Sequence, residues 1–120
     1  MRRLLAEHRE LTNAATKHSH QLRALLLAGD ADDRAVARGR LADAVVVDLS
    51  KRPEPRAGTT ERADREREIR RLAVVVCDCR AGLTTNHDRL RTLVNELAPG
   101  LTAQHRVGPV RAAEKILATE

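Results

Sequence analysis

The chain has 120 residues, a formal net charge of +5 and no Phe, Tyr or Trp. Aromatic rings supply the largest buried apolar areas, so a chain of this size without them is poorly suited to a compact single core. The abundance of Ala, Leu, Arg and Glu favours helix instead, and the expected fold is all-α, with elongated antiparallel helices packed along Leu, Ile and Val stripes. The positive excess is compatible with a polyanionic partner such as DNA or RNA, although +3 of it lies in residues 1–28 and the remainder reads as a mixed-charge solvated surface. Two cysteines, Cys77 and Cys79, do not make a disulfide framework. The basic residues near Met1 are not followed by an apolar run, and no stretch approaches the ~18 consecutive apolar residues of a membrane span. A cytoplasmic protein without a membrane partner is expected.

Residues 2–28 read as one helix, with Leu4, Leu11, Ala15, Leu22 and Leu25 on one face and His8 and His18 filling the seam between them. Gly29-Asp30 ends it, glycine being favoured just past a helix end. Asp32 or Asp33 can cap a second helix that runs to about Leu49. Its end, Ala44-Val45-Val46-Val47, is β-branched, but helix is expected because no partner strand is evident beyond the similar run Val74-Val75-Val76. Residues 50–58 hold Pro53, Pro55 and Gly58 and form a loop.

A long helix then starts at Thr59 or Thr60 and reaches Leu97. Ile69, Leu72, Val76, Cys79, Leu83, Asn86, Leu90, Leu93 and Leu97 alternate three and four residues apart, which is a heptad seam over four repeats. Its only polar member is Asn86. Such a residue either fixes register or oligomer state, or faces solvent where the seam loosens near Gly82. A helix of this length needs a partner along its side, supplied by residues 2–28 or by a second copy in a homodimer. Pro99-Gly100 breaks the helix. A turn ending at Gly108 follows, and Pro109 opens a last short helix. The domain division expected is 1–97 for the helical coiled-coil region and 98–120 for a separate segment.

Little catalytic chemistry is legible. Cys77 and Cys79 lie two apart on a helix and point about 200° apart, so they do not grip one ion. None of the five histidines forms a metal-ligand pattern, the acidic residues are mostly accounted for by helix capping, and neither Ser19 nor Ser50 sits in a nucleophile elbow. No cofactor and no small-molecule substrate is expected. The segment from Arg106 through Val107, Gly108, Pro109 and Val110 to Arg111 differs: it resembles the hairpin and second helix of a helix-hairpin-helix, which aims helix N-terminal amides at a phosphate. The usual core of that motif is Gly-hydrophobic-Gly. Arg106 occupies the first glycine position, and a positive φ there would strain it. Arg106, Val107, Gly108 and Arg111 are the candidate nucleic-acid-binding residues.

Taken in order, Gln21-Leu22-Arg23-Ala24-Leu25-Leu26-Leu27, Ile69-Arg70-Arg71-Leu72-Ala73, Leu90-Arg91-Thr92-Leu93-Val94, Leu97-Ala98-Pro99-Gly100-Leu101 and Val107-Gly108-Pro109-Val110-x-Ala112-Ala113 resemble transposases of the insertion-sequence one-ten family, relatives of Piv-type DNA invertases. The resemblance implies a central coiled coil that mediates assembly and the start of a C-terminal transposase domain. In the family, a nuclease domain with a divalent-metal Asp-Glu-Asp-Asp site precedes the coiled coil, a catalytic serine lies further on, and a guide RNA directs recombination. Neither the acidic tetrad nor the serine has a counterpart here. Arg106 and Arg111 replace the family's usual glycine and threonine. The expectation is a catalytically inactive transposase remnant, not an enzyme, that keeps helix-mediated self-association and weak DNA or RNA binding. The alternative is a free-standing coiled-coil protein that dimerises or inhibits an intact transposase.

Overall fold

The computed structural model describes residues 1–55, 58–101 and 106–119. Among the described residues, five helices follow one another: α1 (Arg2–Leu27), α2 (Ala31–Arg38), α3 (Asp43–Ser50), α4 (Thr60–Leu97) and α5 (Pro109–Ala118). The fold is all-α, and among the described residues there is no strand. No helix among them is long and apolar enough to cross a membrane. The chain divides into two compact units, Ala14–Arg80 and Met1–Asn13 together with Ala81–Glu120. Both α1 and α4 contribute residues to each.

In the 14–80 unit, Leu22 and Leu26 of α1, Val46 and Leu49 of α3, and Ile69, Leu72, Ala73 and Val76 of α4 form one buried cluster. The β-branched run in α3 is helical, with Val46 fully buried and Val47 exposed. Gly29 has an ordinary negative φ. It is required for a different reason, since a Cβ there would meet the Asp33 carboxylate at 2.7 Å. Asp30 then caps α2 by accepting from Asp33 N at 2.9 Å.

The single helix expected from Asp32 or Asp33 to Leu49 is broken between Arg38 and Asp43. Gly39 takes an extended conformation, and Leu41, only 5% exposed, drops into the core. The carbonyls freed by the break need donors, and arginines from both long helices provide them. Arg23 of α1 donates to the carbonyls of Ala37 and Gly39. Arg80 of α4 donates to the Leu41 carbonyl at 2.7 Å and to Asp43 Oδ1 at 2.8 Å. Two short helices bury Ala37, Leu41, Val46 and Leu49 together, which one straight helix cannot do because its apolar face repeats every 3.6 residues.

Thr59 caps α4, its Oγ1 accepting from Arg62 N at 3.2 Å. The loop before α4 is tied down by charge. Arg52 meets the nearly buried Asp33 at 2.7 Å, and Glu54 pairs with Arg67 at 3.1 Å and with Arg70.

In the second unit, Leu90 and Val94 of α4 pack on Ala112 and Ala113 of α5, all four fully buried, with Met1, Leu4 and Leu5 against them. Thus α5 shares a core with the last turns of α4. After α4 the chain turns at Pro99-Gly100. Leu101 N donates to Ala98 O at 3.1 Å and Gly100 has φ +81, so proline and glycine occupy the two central positions of a type II turn, where each is favoured.

Three carboxylates on the 14–80 unit are held below their ordinary range. Glu54 is held there by hydrogen bonds from Arg70 and then Arg67, Glu68 by Arg71, and Asp30 by the Asp33 amide. A depressed folded pKa gives stability that is present above the unfolded value, about 4 for these groups, and is lost as pH falls through the folded one. The melting temperature followed by circular dichroism is therefore expected to drop as pH falls below about 4, and Glu54→Gln is expected to make that acid decline shallower.

Candidate helix seam and nucleic-acid interface

The nine seam residues of α4 fall into three groups. Ile69, Leu72, Val76, Asn86 and Leu90 are buried, Cys79, Leu83 and Leu93 are half-buried, and Leu97 is 59% exposed. The buried positions also include Ala73 and Val94, outside the heptad pattern. An α-helix turns every 3.6 residues, and a strict heptad slips by ~20° per repeat against it. Over four repeats that is close to the ~100° between neighbouring residues. The inward position near the end of α4 accordingly passes from Leu93 and Leu97 to Val94. Cys77, not Cys79, packs against the core of the 14–80 unit. Both thiols are free.

Asn86 is fully buried. Its Nδ2 donates to the Leu4 carbonyl at 2.9 Å and to Glu7 Oε1 at 3.4 Å. The partner of α4 at this level is thus the first turns of α1, running antiparallel, as the pairing of Leu11 with Gly82 alongside Leu4 with Asn86 requires. Gly82 serves the same contact: a Cβ there would stand 3.1 Å from Leu11 Cδ2. Beside Asn86 the rings of His8 and His87 stack with centroids 5.2 Å apart. The histidine spacing in the sequence gives no sign of this pair, because it depends on the register of α1 against α4. Asn86 Oδ1 is buried without a hydrogen-bond partner among the described residues.

Arg106, Val107, Gly108 and Arg111 gather at the start of α5. Arg106 has φ +51, the only positive value for a non-glycine residue among those described. Val107 is half-buried and packs on the Leu90–Ala113 core. Gly108 is the N-cap, exposed and extended, and contributes no side-chain bond to the helix. Pro109 fills the first helical position. Ala112 N bonds to Gly108 O, so the amides of Val110 and Arg111 belong to the first turn, where the helix itself supplies no acceptor. Arg106 and Arg111 are exposed, and neither has an ion partner among the described residues. The turn expected between Gly100 and Gly108 runs through residues 102–105, outside the described residues, as are 56–57 of the earlier loop.

Among the described residues, no three His, Cys, Asp or Glu side chains converge as metal ligands. An acidic gathering, around Asp30, Asp32, Asp33, Glu54 and Glu66, is interleaved with Arg52 and Arg62. Compared with models of protein families, with curated proteins and with solved structures, the chain has no match.

Three substitutions test these environments by urea denaturation. Asn86→Asp places a carboxylate against the Leu4 carbonyl and Glu7 and is expected to cost about 3 kcal/mol or more, whereas Asn86→Leu, which also removes the unpartnered oxygen, is expected to stay within about 1 kcal/mol of the parent. Arg106→Gly removes a left-handed side-chain clash and is expected to raise stability by about 0.5–1 kcal/mol, part of the relief being offset by the freer unfolded chain.

Proposed function

We propose that the chain is a helical, non-catalytic part of a DNA-recombining assembly of the insertion-sequence one-ten transposase kind, which self-associates through its helices and contacts the phosphate backbone of DNA or RNA at the start of α5. The observation that carries this reading is the backbone at Arg106. The resembled motif places glycine at this position, and the residue here holds the left-handed φ that glycine would supply. This φ supports the hairpin reading although the residue that would ease it is replaced. What replaces it is a guanidinium, exposed and near Arg111 at the N-terminus of a ten-residue helix. Helix N-terminal amides and arginines together suit a phosphate. Such contacts fix position on a nucleic acid without reading its sequence.

The second reading, an interaction protein that pairs with or blocks an intact transposase, is favoured by the exposed Leu97 at the end of α4. The first reading is tested by fluorescence anisotropy with duplex DNA, single-stranded DNA and RNA over a salt series. Binding is expected at low salt for unrelated sequences, weakening as salt rises, and Arg111→Gln is expected to reduce the log–log salt slope by about one. No binding at low salt overturns the phosphate contact. Metal-dependent cleavage of DNA by the chain overturns its non-catalytic character.

A further inference from the structure

The end of α4 leaves a groove uncovered. It has a volume of about 490 Å³ and is lined by Leu4 and, along α4, by Thr85, Asp88, Arg89, Thr92, Leu93 and Glu96. The α4 residues step by three, one, three, one and three, which keeps them on one stripe of the helix. Leu97, 59% exposed, continues that stripe by one further step of four from Leu93. Leu93 and Leu97 are thus the two seam residues at the end of α4 that the intrachain core, turned towards Val94, does not bury.

Asp88 is paired within α4 with Arg91 at 3.1 Å, and the charges that remain on the strip are self-complementary. Arg89 and Glu96 are seven residues apart, two turns and about 10 Å along one face, too far to pair within the helix. Both are exposed, and neither has an ion partner among the described residues. A two-fold axis across α4 between Thr92 and Leu93 sets Arg89 of one copy level with Glu96 of the other, twice over, with Thr92 and Leu93 meeting at the centre. A parallel, in-register pairing instead sets arginine level with arginine and glutamate with glutamate. A two-fold contact uses one patch on both partners, and this patch is built for the antiparallel form.

We infer that a second copy of this chain occupies the groove, the two α4 ends crossing antiparallel about Thr92 and Leu93 with reciprocal Arg89–Glu96 pairs. The inference rests on the self-association part of the function proposed above and is independent of its nucleic-acid part. Residues 85–97 span about 20 Å, which falls short of the ~800 Å² per partner of a standard stable interface. The dimer is therefore weak and concentration-dependent.

Sedimentation velocity of the full chain from about 10 μM to about 1 mM is expected to show a monomer passing into a dimer. Arg89→Glu and Glu96→Arg are each expected to weaken the dimer at least about tenfold, by setting like charges level twice. Two rescues follow. The double reversal restores the homodimer, and an equimolar mixture of the two single variants forms a heterodimer, because every facing pair is then again of opposite sign. Leu97→Gln weakens all of these several-fold. Helix content by circular dichroism is expected to be unchanged, since all three side chains are exposed. A monomer across the whole range, single reversals without effect, or reversals that do not rescue one another each overturn the inference. A monomer that still binds nucleic acid in a salt-dependent way overturns only the dimer. A charge-rescued dimer without nucleic-acid binding overturns only the phosphate contact.

Discussion

A core without an aromatic ring has to gain its burial by bringing helix backbones close together, and the placement of small residues follows from that. Ala37, Ala73, Ala112 and Ala113 are all buried, three of them completely. They stand where one helix meets another, beside Leu, Ile and Val side chains that interdigitate over them. Gly82 admits Leu11 at the same kind of contact. Alanine buries little area itself, but it shortens the distance between axes, so that each neighbouring leucine loses more water and gains more dispersion contacts. This is also why the polar groups near these contacts must be matched by specific donors. The carbonyls freed at the helix break lack intrahelical donors, and Arg23 and Arg80 reach across to them.

The sequence was most legible where one residue type forces a backbone outcome. Pro53 and Pro55 end the second helical stretch, Pro99-Gly100 makes a turn with each residue in its favoured place, and Thr59 caps the long helix. Position along α4 was less legible. Asn86 was consistent with either a buried or a solvated site, and what decides it is the antiparallel register that brings the Leu4 carbonyl within 2.9 Å. The break after Arg38 was not legible, because nothing in Ala35-Val36-Ala37-Arg38-Gly39-Arg40-Leu41 forbids a helix. It exists because two arginines distant in sequence satisfy the carbonyls it exposes. Gly29 was read only as a residue favoured past a helix end, and what calls for it is the room it leaves beside Asp33.

The candidate site shows the same division. The residues Arg106, Gly108 and Arg111 were readable from motif spacing, and they do come together at one helix start. Whether Arg106 would carry the strained conformation depended on how α5 packs. Val107 and Pro109 anchor the chain on either side of Gly108, Val107 against the core and Pro109 buried outright. The residue before that anchor then has little conformational choice. Strain of this kind persists only where the surrounding structure over-determines it, and the Ala112–Ala113 contact with Leu90 and Val94 does so here. At the other end of that core, the drift of α4 from heptad to helical period removes Leu93 and Leu97 from the interior without making them polar.

The ion pairs that fasten the loop and the helices have one further property. Those formed by Glu54, Asp33, Asp43, Glu68 and Asp88 all take their cation from arginine. A guanidinium keeps its proton at any pH a protein survives. An ammonium would begin to surrender its charge about two pH units sooner. The cationic half of each of these tethers consequently keeps its charge under alkaline conditions, and base does not loosen the loop or the helices they fasten.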